Sequence, residues 1–137
     1  MAATRTVRAT WLGRSLVFRG EAAGRAPITI DGETDEGPSP VDTLLVAMAG
    51  CTGSDVVDIL RKKRLDLREL HIEVTGTRQG EHPRRYTAID LVFRVKAPGA
   101  TEHHVRQAID LSLGKYCSVT HSLNPDIPVR YELVLEA

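Results

Sequence analysis

Apolar positions along the chain follow two rhythms, one of period two and one of period 3.6, and the changes between them mark out the elements. RTVRATW and SLVFRGE, joined by LGR, read as a hairpin, and PITID as a third short strand before the acidic loop GETDEGPSP. A helix start comes next: Ser39 is placed to cap, Pro40 fits the first helical position, and Asp42 sits three residues after the cap. The pattern then predicts one long helix through VDTLLVAMAGCTGSDVVDILRKK, ending on a basic turn that suits the negative end of its dipole. In LHIEVTG, Leu70, Ile72 and Val74 alternate with His71, Glu73 and Thr75. YTAIDLVFRVK repeats the alternation with Ile89, Leu91, Phe93 and Val95 inward, and the intervening turn RQGEHPRR predicts an antiparallel hairpin. A second helix, from about Thr101 as cap to Tyr116, puts Val105, Ala108, Ile109, Ser112 and Tyr116 on one face. NPDIP breaks the chain, and VRYELVLE closes it as a strand with Val129, Tyr131, Leu133 and Leu135 on one side.

The long helix departs from ordinary amphipathicity. From Leu44 to Gly50 it is apolar all round, and such a helix must be covered on every side. A small domain with thin sheets cannot do that alone, so an obligate homodimer sharing this core is expected. Gly50 and Gly53 each cost about 1 kcal/mol relative to Ala inside a helix. Their presence implies either a bend or a very close neighbour beside Cys51.

The 137 residues suit a single domain, 1–137, with no repeat, low-complexity tract or linker, and suffice for a real core. Eighteen basic residues balance eighteen acidic ones, which gives no electrostatic bias toward nucleic acid or an anionic membrane. Aromatic residues are only 4% of the chain, too few for a base-stacking surface. No uninterrupted apolar span reaches the roughly 20 residues of a membrane helix. The opening MAATRTVRAT lacks the apolar segment of a secretory signal, so a cytoplasmic location is expected. In that reducing compartment two cysteines are available for packing, metal binding or redox chemistry rather than a permanent disulfide.

Cys51 shares its helix face with Leu44 and Met48, and Asp55 lies one turn on. Apolar burial and an ionised carboxylate both disfavour a thiolate, and at an ordinary pKa near 8.5 only about 3% is ionised at neutral pH. A mostly ionised Cys51 needs a depression of roughly two units, about 2.7 kcal/mol. A cation must supply it, and an arginine, which stays charged when desolvated, is the natural choice: Arg14 in the first hairpin turn, Arg19 or Arg25. Inert packing is the competing reading for Cys51 and for Cys117 alike. Cys117 has His121 four residues on, a spacing compatible with a shared metal or a Cys–His nucleophile pair. The sequence holds no CxxC or HxxxH, and no metal site is expected.

Two blocks taken together, SPVDTLLVAMAGCTGSDVVDILRKK and LSLGKYCSVTHSL, resemble the OsmC/Ohr family of osmotically inducible and organic hydroperoxide resistance proteins. The AGCTGSDVVDILRKK and KYCSV segments are most similar to its YhfA-like branch, and the order of elements matches over nearly the whole chain. The resemblance implies an α+β fold in which the long Cys-bearing helix packs against antiparallel sheets of an intertwined homodimer. It also implies a peroxidase for organic hydroperoxides that needs no metal or haem, with a small dithiol or a lipoylated protein as reductant. Cys51 would be the peroxidatic thiol, Cys117 the resolving thiol, and Arg14 the active-site cation, with Arg19 its competitor. Hydroperoxide-reducing members carry a glutamate after the proline that opens the long helix, where this chain has Val41. Asp42 points about 100° away, which leaves Asp55 as the expected partner for the arginine. Two other readings stay open: a non-catalytic dimer binding an apolar or thiol-bearing ligand beside the helices, and a redox sensor oxidised once per event.

Overall fold

The computed structural model describes residues 2–136, and its packing falls into two compact units that divide at Leu44 and Leu45. In the first unit β1 (Val7–Trp11), β2 (Val17–Ala22) and β3 (Ile28–Asp31) form an antiparallel sheet in chain order. Trp11 pairs with Phe18, and Phe18 with Ile30, so one face is apolar. Val17, on the opposite face, is fully buried, while Val7, Trp11 and Ile28 are exposed.

Helix α1 (Pro40–Lys62) starts where the cap residues predict. Asp42 N–H donates to Ser39 Oγ at 3.2 Å, and Ser39 N–H donates to Asp42 Oδ2 at 3.3 Å, which makes a reciprocal capping box. Arg61 and Lys62 close the helix. By length and composition α1 would suffice to cross a membrane. Asp42, Asp55 and Asp58, however, limit its longest uncharged run to residues 43–54, well short of the roughly 20 a bilayer core requires.

In the second unit β4 (Glu69–Arg78) runs antiparallel to β5 (Tyr86–Lys96), as the turn between them predicts. β6 (Val129–Glu136) lies on the other side of β5 but parallel to it, so this sheet is mixed where antiparallel sheets were expected. The reason is the connection: a parallel neighbour needs a long crossover, and α2 (Glu102–Leu111), a π turn (Ser112–Tyr116) and α3 (Ser118–His121) supply it. Ile89, Leu91, Phe93 and Val95 of β5 are at most 1% exposed. With Met48, Val56 and Leu60 of α1 and Val105, Ala108 and Ile109 of α2 they make the core. Apart from Ala108, each such side chain contributes about 1.5–3 kcal/mol by leaving water. Phe93 also meets Tyr131 of β6 edge to face, with ring centroids 5.8 Å apart.

Helix α2 is capped by Thr101 as predicted, in a box completed by an unexpected partner. His104 N–H donates to Thr101 Oγ1, and Thr101 N–H donates to His104 Nδ1, each at 3.2 Å. The second helix was expected to run unbroken to Tyr116. Instead it changes to π geometry at Ser112, which shifts the phase of the last turn and leaves Tyr116 exposed.

Candidate active site

Cys51 lies in the middle of α1, half-buried and on regular helix. One of its flanking glycines has a clear packing role: a Cβ on Gly53 would meet Ile72 Cδ1 at 3.0 Å, so its absence lets β4 approach the helix closely. Gly50 faces open space. The groove on that side of α1, about 870 Å³, sets apolar Val46, Leu70 and Ile72 beside charged Asp55, Asp58 and Arg61. Cys51 points about 100° round the helix from Gly50, away from the middle of this groove.

Cys117 arrives by a different route. The π turn closes with Cys117 N–H donating to the Ser112 carbonyl at 2.8 Å, and Cys117 then caps α3 with extended backbone. Its Sγ accepts from the Thr120 hydroxyl at 3.0 Å and from the Thr120 N–H at 3.4 Å. The sulfur is fully buried, and Cys51 lies near enough to act on it electrostatically. The fold therefore brings the two thiols together, both of them free. Burial pushes the Cys117 thiol up from its ordinary pKa; the Thr120 donors oppose this, and the neighbouring Cys51 adds to the rise. Cys117 thus keeps its proton at neutral pH. His121, offered by spacing as a partner, is exposed, and Thr120 takes that role. Among the described residues no group of three or more His, Cys, Asp or Glu side chains is arranged to hold a metal ion.

A small polar cluster ties α1 to the start of the π turn. Ser112 Oγ is 2.8 Å from Thr52 Oγ1 and 2.8 Å from Asp55 Oδ2, with Ser112 and Thr52 fully buried. A hydroxyl has one hydrogen and a carboxylate can only accept. Ser112 therefore donates to Asp55, and Thr52 donates to Ser112. The sequence places Ser112 on the buried face of its helix. A buried hydroxyl demands a partner, and that was the available signal for this cluster.

Arg14 stands at the tip of the β1–β2 turn, between Gly13 at φ +81° and Ser15 at φ +45°. Its carboxylate partner is Glu36, gripped in a fork: Nε donates to Oε2 at 2.8 Å and Nη2 to Oε1 at 2.5 Å. The guanidinium holds the Glu36 carboxyl below its usual range. Asp55, expected as the arginine's partner, is engaged by Ser112, and Asp42 by the Ser39 cap. Glu36 sits in the acidic loop, which buried Asp31 organises by accepting from the N–H groups of Glu33, Thr34 and Glu36 and from the Thr34 hydroxyl. Arg19, the competitor, pairs with Glu21 on its own strand at 2.7 Å. Arg25 lies in the turn after β2, where its N–H bonds the Ala22 carbonyl.

A long helix with a central cysteine, a mixed three-stranded sheet and a second cysteine delivered by the crossover define a class that comparison identifies. The OsmC-like protein family model matches residues 32–132. This chain belongs to that family. Protein YhfA of Escherichia coli K12 is 38% identical over 130 residues, covering 93% of this chain and 96% of its own. The crystal structure of an OsmC-like protein from Mycoplasma pneumoniae superposes with a TM-score of 0.85 at 19% identity, covering all of both chains. The organic hydroperoxide resistance protein OhrB of Bacillus subtilis shares the fold at a TM-score of 0.62 and 15% identity, over 96% of this chain and 98% of its own.

Proposed function

We propose that this protein is a thiol peroxidase that reduces organic hydroperoxides through Cys51 and Cys117. The observation that carries the reading is the proximity of two free thiols drawn from distant parts of the chain, one half-exposed and one buried, in a member of the OsmC-like family. The Cys51 thiolate attacks the distal oxygen of the hydroperoxide; the O–O bond breaks, an alcohol leaves after taking a proton, and Cys51 becomes a sulfenic acid. Cys117 then gives up its proton, its sulfur attacks that of Cys51, and the departing hydroxide takes the proton away as water, leaving the Cys51–Cys117 disulfide. A small dithiol or a lipoylated protein reduces the disulfide and restores both thiols. The family resemblance alone supports assigning Arg14, which Glu36 grips, as the cation of this chemistry. The kinship with organic hydroperoxide resistance proteins supports the substrate class.

The working unit is a homodimer. Leu44 and Val46 on α1 are exposed in the single chain, as are Val7, Trp11 and Ile28 of the first sheet. That much apolar surface calls for cover, and a second copy provides it. The reducing cytoplasm is the compartment in which such a dithiol cycle runs.

Purified protein consuming cumene hydroperoxide with dihydrolipoamide, and losing that turnover in Cys51→Ser, is the expected result; equal consumption by the mutant would refute the reading. Disulfide formation without sustained turnover would instead mark a redox sensor. The groove beside α1 favours one further reading, a carrier of an apolar ligand. Native mass spectrometry finding protein from cells without a bound molecule would remove it.

A further inference from the structure

We propose that Asp55, Ser112 and Thr52 form a positioning device that clamps the Cys117-bearing turn to the Cys51 helix and so sets how readily the two sulfurs join. This inference rests on the reading that Cys51 and Cys117 form a disulfide.

The geometry has three links. Thr52 and Asp55 stand next to Cys51 and one turn beyond it on α1, so they move with the first sulfur. Ser112 opens the π turn, and its Oγ is 2.8 Å from each of them. The Ser112 carbonyl accepts from Cys117 N–H at 2.8 Å, so the same residue holds the second sulfur by its backbone. Ser112 is thus the joint between the two cysteines: its side chain is tied to one element and its main chain to the other. A π turn is a local departure from regular helix, and a hydrogen-bonded polar cluster with Ser112 and Thr52 buried is a means of holding such a departure in one conformation.

The consequence is chemical. A Cys51 sulfenic acid has two fates. With Cys117 in place, its sulfur attacks as it loses its proton, that proton and the sulfenic hydroxide leave as water, and a disulfide forms. With Cys117 displaced, a second hydroperoxide transfers an oxygen, leaving an alcohol and a Cys51 sulfinic acid. The clamp favours the first fate by raising the effective concentration of Cys117 at Cys51.

The test equilibrates the whole protein with glutathione buffers of known composition and reads the Cys51–Cys117 potential by thiol alkylation and mass spectrometry. Ser112→Ala and Asp55→Leu are each expected to lower the effective concentration about tenfold, which raises the potential by ~30 mV for this two-electron couple. Ser112→Thr, which keeps the hydroxyl, should stay within about twofold of wild type by the same relation. Under excess cumene hydroperoxide the first two variants should accumulate more sulfinic acid. Unchanged potentials in both variants, melting well above the assay temperature, overturn the proposal. If Ser112→Ala does not fold, Asp55→Leu decides. A wild type that forms no Cys51–Cys117 disulfide in glutathione overturns both this proposal and the peroxidase reading. A wild type that forms it yet consumes no hydroperoxide overturns only the latter, and the variant potentials still decide the clamp.

Discussion

The two cysteine-bearing regions are built on opposite plans. Cys51 sits on an uninterrupted helix of 23 residues, half-buried, with glycines on either side that narrow the backbone around it. Cys117 sits where one helix ends in a π turn and another of four residues begins, fully buried, its sulfur held by Thr120. The first plan fixes a sulfur rigidly while leaving it approachable, as an attacking group needs. The second buries a protonated thiol and places it by local hydrogen bonds that a small rearrangement can release. Identical residues thus receive different burial and hydrogen bonding from their backbone settings.

Mutating each sulfur in turn breaks the comparison most directly. Cys51→Ser should cut hydroperoxide turnover at least about a thousandfold, because no other group supplies the nucleophile. Cys117→Ser should allow the first oxidation, trapped with a sulfenic-acid reagent, and then stop; equal multiple turnover in that mutant would deny Cys117 its separate role. Thr120→Val acts on the second region alone. Loss of its hydroxyl should cost about 1 kcal/mol in chemical denaturation and raise the Cys117 pKa further, while Cys51 alkylation stays unaltered.

The glycines sharpen the first region. Gly50→Ala has open space in the single chain and should gain up to about 1 kcal/mol of helix stability. If sedimentation instead shows dimer loss, the second copy packs at that position. Gly53→Ala must displace the end of Ile72, which offsets the same gain, so its melting temperature should fall below that of Gly50→Ala. The smallest effect is one of pH. The Cys117 pKa is raised in the folded chain, so its contribution to stability is complete below the ordinary thiol value and is lost as pH rises through the higher folded value. Denaturation measured from pH 7 upward should decline in wild type and decline less in Cys117→Ala.

Much of this architecture is legible in the residue order. Ile89, Leu91, Phe93 and Val95 alternate so strictly that burial on one face follows from strand geometry, and Ser39, Pro40 and Asp42 announce α1 to the residue. The features that escaped depend on contacts remote in sequence or on small changes of phase. The apolar positions from Val105 to Ser112 fit a helix whether or not it widens afterwards, so the π turn leaves no trace in periodicity. The direction of β6 is set by the crossover, not by its own alternation. Glu36 was one of several acids in the loop after β3, and only the folded turn around Asp31 distinguishes it as the grip on Arg14. Either cysteine alone fits inert packing, and only the tertiary fold makes them neighbours.

A π turn holds one residue more than ordinary helix would use in the same place. Loss of a single codon, for example that of exposed Gly114, would let the segment relax to regular helix and swing the residues beyond it by about 100°. The sheet, the long helix and the core would persist, while the second sulfur turned away from the first. A lineage could therefore part the two sulfurs in one deletion and keep an intact scaffold for other work.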